Sequence, residues 1–367
     1  MKLTRLSLWH IPLTSHETYY MAGGKTCDTT MTTLIRLDTD SGLSGWGEVC
    51  PIPHYLPAYA DGVAPALTEL APVILGADPL GAEAVMERCN AYLLGHDYAK
   101  SALDIALWDI TARAAGLPLH ALLGGRAMAD MPLYHSITCV APDEMARIAR
   151  DAQAQGMTQF QVKLGADGDW QADVARLSHV REAVGPGPLV YGDWNCGSDS
   201  LTASRVGRAV AHLDVMLEQP CRTIQECAAV RDATGLPMKL DETAHDIASL
   251  LDGHRRGCMD AVALKLSKFG GLSATRRARD LCLALGTRMC IEDTWGSDVT
   301  TAALLHLAAA TPARGLMNTC DLSHYVGPRL APDGPTRHMG RIAPPEGPGL
   351  GITPDMDVLG TPQLILD

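Results

Sequence analysis

The feature that most constrains this chain is a ladder of polar residues, each closing a short apolar run. Lys163 ends TQFQVK, Asp193 ends PLVYGD, Glu218 ends DVMLE, Asp241 ends PMKLD and Lys265 ends DAVALK, while Glu292 and Asp293 end RMCIED. The rungs lie about 25 residues apart, and the stretches between them carry helical periodicity. The spacing predicts strands over 133–139, 158–163, 189–193, 215–218, 238–241, 261–265, 288–293 and 315–319, with helices between them, for example over 142–154 and 273–285. Eight such alternations favour a closed parallel barrel over an open doubly wound sheet, and no Gly-rich phosphate fingerprint follows the first strand. In a barrel the strand ends share one mouth, so three acids and two lysines would meet there.

The expected fold class is therefore α/β, a modified (β/α)8 TIM-type barrel with an N-terminal α+β capping domain. Residues 1–125 are assigned to the capping domain. Its first 50 or so residues read as antiparallel strands around Gly23 and Gly24, followed by helices. In those helices Leu103, Leu107, Ile110 and Ala114 mark one apolar face, and Gly116-Leu117-Pro118 ends the pattern. Residues 126–340 form the barrel. Residues 341–367, irregular and rich in Pro and Gly, are expected to pack back on the first domain.

A net charge of −12 without a basic cluster argues against nucleic-acid binding. No apolar run reaches the roughly 20 residues of a membrane helix, and MKLTRLSLWHIPLT lacks the apolar core of a signal peptide. The eleven cysteines are scattered and never form C-x-x-C, which suits buried free thiols in a reducing compartment. The expectation is a cytoplasmic protein, without membrane or nucleic-acid partners, that assembles as a homo-oligomer and acts on a small-molecule carboxylate.

Asp193, Glu218 and Asp241 would come from three successive strands about 4.8 Å apart, close enough to converge on one ion. All-oxygen ligation favours Mg²⁺, with Mn²⁺ possible, over zinc. Lys163 precedes the trio by one strand and Lys265 follows it by one. They would flank the metal from opposite sides, with pKa values lowered towards neutrality by the cation. Such a pair can remove a proton from one face of a carbon and return one on the other.

These residues carry a resemblance. GLSGWGE (42–48), AKSALDIALWD (99–109), GLPLHALLGG, D-W-N (193–195), E-Q-P (218–220), D-E (241–242), K-L-S-K-F-G-G (265–271) and GPGLGI occur in order along nearly the whole chain. Together they resemble the enolase superfamily, in its muconate lactonizing enzyme subgroup. The resemblance implies that Asp193, Glu218 and Asp241 bind Mg²⁺. It also implies that Lys163 and Lys265 are the acid/base pair, acting through an enediolate of the substrate carboxylate. One departure is Gln161, where the family's K-x-K has its first lysine.

For the substrate, the acid pair Glu292–Asp293 beside Trp295 suits a cationic nitrogen. That stretch, GHDYAK and PHYLPAYA resemble the branch of hydroxyproline betaine 2-epimerases and 3-hydroxyproline dehydratases. The leading expectation is an isomerase, a racemase or epimerase working α to the carboxylate of an N-substituted proline-type amino acid. The alternatives are β-elimination from a hydroxyproline, N-acylamino acid racemisation and cycloisomerisation. Tyr55, Gln161, Asn195, Glu292, Asp293, Trp295, Cys320 and Asp321 are the candidate substrate-binding residues. The competing reading of the seventh strand end pairs Glu292 with Lys265 and leaves Trp295 as packing.

Overall fold

A computed structural model describes residues 1–367. The chain opens with a long hairpin, β1 (Leu3–Met21) and β2 (Lys25–Thr39), to which β3 (Ser44–Val49) adds an antiparallel edge. The hairpin turns at Gly23 and Gly24, both with φ near +70°, a conformation that costs a residue with a Cβ. Helices α1 (Val63–Ile74), α2 (Ala82–Tyr92) and α3 (Asp97–Ala115) follow, and α3 lies against β3. Alternation along β3 turns Gly45 and Gly47 to the same side. A Cβ on Gly47 would sit 1.9 Å from the Ala102 carbonyl oxygen, so the glycines let strand and helix touch backbone to backbone.

The single apolar face expected for α3 understates its burial. Tyr98 through Ile110 is buried without a break, because the helix is also packed by α1, α2 and the barrel, whereas Ala114 is exposed in the last turn. Gly116 closes the helix in the left-handed conformation at φ +66°.

The barrel strands are β4 (His135–Ile137), β5 (Gln159–Lys163), β6 (Leu189–Asp193), β7 (Met216–Glu218), β8 (Met238–Leu240), β9 (Ala261–Lys265), β10 (Arg288–Glu292) and β11 (Leu316–Thr319), all parallel and in sequential order. Closure between the first and last runs through one parallel bridge, Leu133 to Thr319. Seven helical crossovers link the eight strands: α4 (Pro142–Ala154), α5 (Trp170–Val184), α6 (Ser200–Ala209), α7 (Ile224–Thr234), α8 (Ile247–Arg255), α9 (Leu272–Leu285, after a one-turn helix Leu266–Phe269) and α10 (Asp298–Ala309). No comparable helix follows β11, and this is the modification of the eight-fold pattern. The chain instead returns along the first domain: Val326–Gly327 pairs with Thr14 and Ser15, and β12 (Leu364–Leu366) pairs with Leu6–Leu8. All eleven cysteines are free, and only Cys196 is not buried. No single helix is long and apolar enough to cross a membrane.

Candidate active site

Strand register brings the charged residues to one level. Lys163 pairs across the ladder with Asp193, Asp193 with Glu218, Glu218 with Lys239, and Lys265 with Glu292. β5 and β9 are the second and sixth of eight strands, so Lys163 and Lys265 face each other across the mouth. The Tyr55 ring, from the first domain, covers both, with its centroid 5.9 Å from one Nζ and 5.5 Å from the other.

Each expected metal ligand carries a lysine partner. Lys163 Nζ lies 2.5 Å from Asp193 Oδ2 and 3.1 Å from Asn195 Oδ1. Lys265 Nζ donates to Asp241 Oδ2 at 2.7 Å, and Lys268 Nζ to Asp241 Oδ1 at 3.0 Å. Lys239 Nζ lies 2.7 Å from Glu218 Oε1 and 3.6 Å from Glu292 Oε1. The 2.7 Å contact is an ion pair rather than an aligned hydrogen bond, so Lys239 Nζ and Glu218 Oε1 remain buried without hydrogen-bond partners.

The expected fall in the lysine pKa values depends on a bound cation; the side chains by themselves act in the opposite direction. Burial works against both charges, but Asp193 and its neighbours hold Lys163 well above the ordinary lysine value, and Asp241, Glu292 and Glu242 do the same for Lys265. The carboxylates divide. Asp241 is held low because its lysines outweigh burial, while Glu218 is pushed up to about 8 by burial and by Asp193, Asp241 and Glu292 despite Lys239. Glu242 rises to about 7, mainly by burial and beside Asp241.

Six acids (Asp193, Glu218, Asp241, Glu242, Glu292 and Asp293) thus crowd four lysines (Lys163, Lys239, Lys265 and Lys268). The acids do not already form a closed ligand cluster, because ammonium groups stand against them. Six carboxyl groups gathered in one mouth, with oxygens of Glu218, Glu242 and Glu292 left without hydrogen-bond partners, nevertheless fit an oxygen-bound divalent cation. Asp193, Glu218 and Asp241 are the residues that could hold it.

The cleft contains about 540 Å³ of empty space. Its lining includes Tyr55, Gln161, Lys163, Asn195, Asp241, Lys265, Glu292, Asp293, Trp295 and Cys320 among the expected residues, and Tyr19, Tyr134, Ser136, Thr294, Leu322 and Tyr325 besides. Asp193 and Glu218 lie beneath this lining, fully buried. Asp321 does not reach the cleft; it accepts from Ser323 Oγ at 2.9 Å and from Arg337 Nε at 3.1 Å. Asp293 points its carboxylate at Ser267 and at the Thr294 amide. Glu292 accepts from the Tyr134 hydroxyl and has its close ion pair with Lys239, while Lys265 acts on it only at longer range. Asp293 is thus fully engaged, and Glu292 keeps one oxygen without a hydrogen-bond partner, 3.6 Å from Lys239 Nζ. Asn195 is braced, donating to Asp193 Oδ2 at 3.0 Å and to Glu242 Oε1 at 3.1 Å.

Gln161 sits in a relay. The Tyr19 hydroxyl meets Ser136 Oγ, Ser136 Oγ donates to Gln161 Oε1 at 2.6 Å, and Gln161 Nε2 donates to Glu218 Oε2 at 2.8 Å. The lysine missing at Gln161 is matched by Lys239, which brings an ammonium to Glu218 from the fifth barrel strand. Lys239 and Lys268 escape a reading based on strand ends. The signal was present for Lys239: it precedes Asp241 by two residues and so shares its face of the strand. Tyr19 comes from the first-domain hairpin and Tyr325 from the segment just after the eighth barrel strand, so neither sits at a strand end of the barrel. With Trp295 they form one aromatic wall, Trp295 lying 5.8 Å from Tyr19 and 6.3 Å from Tyr325 between ring centroids.

Comparison with known proteins accords with this geometry. Residues 144–358 match the enolase C-terminal domain-like family, and residues 10–124 match the N-terminal domain of the mandelate racemase/muconate lactonizing enzyme family. The cis-3-hydroxy-L-proline dehydratase of Roseibium aggregatum is 41% identical over 99% of both chains. The N-succinyl-L-Arg/Lys racemase of Bacillus cereus is 27% identical over 84% of each. A crystal structure of an enolase superfamily member from Roseovarius nubinhibens, complexed with magnesium, superposes with a TM-score of 0.94 at 35% identity, over 100% of this chain and 99% of that one. With both halves matched and the barrel mouth built as described, the chain belongs to the mandelate racemase/muconate lactonizing enzyme family and is an enzyme of the enolase superfamily.

Proposed function

We propose that this enzyme removes the proton α to the carboxylate of a hydroxyproline-type imino acid and eliminates the β-hydroxyl as water. The observation that carries this reading is the placement of Lys163 and Lys265 on opposite sides of one mouth, both beneath Tyr55. In a cis-3-hydroxy-L-proline the hydroxyl shares a ring face with the carboxylate and so lies opposite the Cα hydrogen. Elimination then needs a base on one face and an acid on the other. One lysine takes the Cα proton, the C3–O bond breaks as the Cα–C3 double bond forms, and the other lysine gives its proton to the departing hydroxide. The 41% identity to a dehydratase of this substrate class supports the same reading.

A magnesium or manganese ion held by Asp193, Glu218 and Asp241 would supply positive charge against the substrate carboxylate as the α-proton leaves. With those acids so engaged, Lys163 and Lys265 lose the partners that hold their protons, and the neutral amine needed for proton abstraction becomes accessible. Tyr55 and the Tyr19–Trp295–Tyr325 wall cover the mouth and exclude water from the reacting carbon.

The second reading is epimerisation of an N-substituted proline. The aromatic wall favours it, since it can face a cationic nitrogen. The engagement of Glu292 by Lys239 and Tyr134, and of Asp293 by Ser267, weakens it for a quaternary ammonium.

The two readings separate by ¹H NMR in D₂O with Mg²⁺. The panel is cis- and trans-3-hydroxy-L-proline, proline betaine and hydroxyproline betaine. Loss of the C3 carbinol signal from the cis isomer, with an unsaturated product, is the expected result. Exchange of the α-proton with the hydroxyl retained would replace elimination by epimerisation. No change in any compound would reject the substrate class.

A further inference from the structure

Lys239 is the most completely enclosed cation of the molecule's mouth, with no exposed surface. Its ammonium sits between the Tyr191 and Tyr134 rings, 4.8 and 5.6 Å from their centroids, and has Glu218 and Glu292 as its acidic neighbours. Glu218 is gripped from two directions: Gln161 Nε2 donates to Oε2, and Lys239 faces Oε1. A neutral amide alone would aim the carboxylate, so the buried charge of Lys239 does something further. It is attractive to Glu218 and repulsive to any other cation at the same oxygen.

We infer that Lys239 is a resident counter-cation that positions Glu218 and limits how tightly the mouth holds a divalent ion. The inference rests on the reading in which Asp193, Glu218 and Asp241 bind that ion. Lys239 lies behind the ligand carboxylate and out of reach of substrate, since it does not line the cleft. It acts through Glu218, as a positioning residue. Its removal makes the ligand set more negative by one charge at close range. A residue that only held the fold together would do the opposite on removal, loosening the ligands and weakening metal binding.

The test is Mn²⁺ binding to the full chain, followed through the electron paramagnetic resonance signal of free Mn²⁺ in the absence of substrate. Lys239→Met is expected to lower the Kd for Mn²⁺ by about tenfold or more, the order expected when a nearby unit charge is removed from a partly screened interior. Thermal denaturation of the same variant should show a lower apo midpoint and a larger upward shift on saturation with Mn²⁺ than wild type.

Should Lys239→Met fail to fold, the double variant Lys239→Met/Glu292→Gln removes one charge of each sign and is compared with Glu292→Gln alone. The double variant is expected to bind Mn²⁺ more tightly than that single one. An unchanged or weakened Kd in these comparisons, with wild type binding normally, overturns the role given to Lys239. If wild type itself binds no Mn²⁺, or if Glu218→Gln binds as well as wild type, the metal reading falls and takes this inference with it.

Discussion

Two sets of buried acids invite comparison, one at the seam between the first domain and the barrel and one at the barrel mouth. At the seam Glu48 accepts from Thr32 Oγ1, from the amide and hydroxyl of Ser297, and from the amide and hydroxyl of Thr300, all at 2.7–2.9 Å. Asp104 accepts from the amide and hydroxyl of Ser273 at 2.7 and 2.6 Å. These carboxylates come from β3 and α3, yet they cap the first turns of α10 and α9, where unpaired amides and the helix dipole favour an anion. No oxygen of Glu48 or Asp104 is orphaned, whereas Glu218, Glu242 and Glu292 at the mouth each retain an oxygen without a hydrogen-bond partner. Burial does not account for the difference, since Glu218 and Glu292 are as buried as Glu48 and Asp104. Glu218, Glu242 and Glu292 differ from the seam acids in that neutral donors do not complete them, whereas Asp293, completed by Ser267 and Thr294, resembles the seam acids.

The largest effect that could break this contrast is at the mouth. Lys163→Ala and Lys265→Ala are each expected to lower kcat by about 10³-fold or more, within or beyond the range of lost general acid–base catalysis, in a protein that still melts cooperatively. Steady-state kinetics and calorimetry on the same preparations check both halves. Near-normal turnover in either variant would remove the two-lysine mechanism.

Chelation comes next. Turnover should vanish in EDTA and return with Mg²⁺ or Mn²⁺, while Glu218→Gln should not recover at the same metal concentration. Full activity after exhaustive chelation would contradict the metal reading.

At the seam the expected loss is of stability. Glu48→Ala strands buried amides and hydroxyls at the start of α10 and is expected to cost roughly 2–4 kcal/mol. That loss is measurable by urea denaturation, with kcat reduced far less than in the lysine variants. A loss of turnover as deep as theirs, in a stably folded protein, would erase the distinction between the two sets.

The smallest effect is a pH dependence. Burial lifts the Asp104 carboxyl to about 6 from the ordinary 3.8, against the Ser273 donors that favour its charge. The folded protein therefore holds this proton more tightly than the unfolded chain does. The ionised group costs stability above pH 6, and that cost fades as the pH falls towards 4. The stability of wild type relative to Asp104→Asn should rise over that window on acidification. A difference that is flat in pH would place the Asp104 pKa at its unfolded value.

Much of the barrel was legible because strand and helix impose different periods on one chain. The expected strand over 261–265 and helix over 142–154 coincide with Ala261–Lys265 and Pro142–Ala154. The misses share a cause. Ala114 has the right spacing for an apolar face, but it lies in the last turn of α3, beyond the elements that bury the rest. Asp321 follows the eighth strand closely, as the site acids follow theirs, yet Arg337 and Ser323 claim it from the returning tail. Glu48 reads as one polar residue in a hairpin, and its Ser297 and Thr300 partners lie about 250 positions away.

Local rules acting within a few residues therefore determined the secondary structure, the alternation that makes a barrel, and the identity of the strand-end acids and lysines. Pairing between distant segments was decided only in three dimensions. Which lysine faces which acid, which carboxylates are completed by neutral donors, and which aromatic rings close the mouth all depend on closure of the barrel and docking of the first domain. Hydrogen bonds and ion pairs act over a few ångströms, so their partners are set by where the folded elements meet rather than by their separation along the chain.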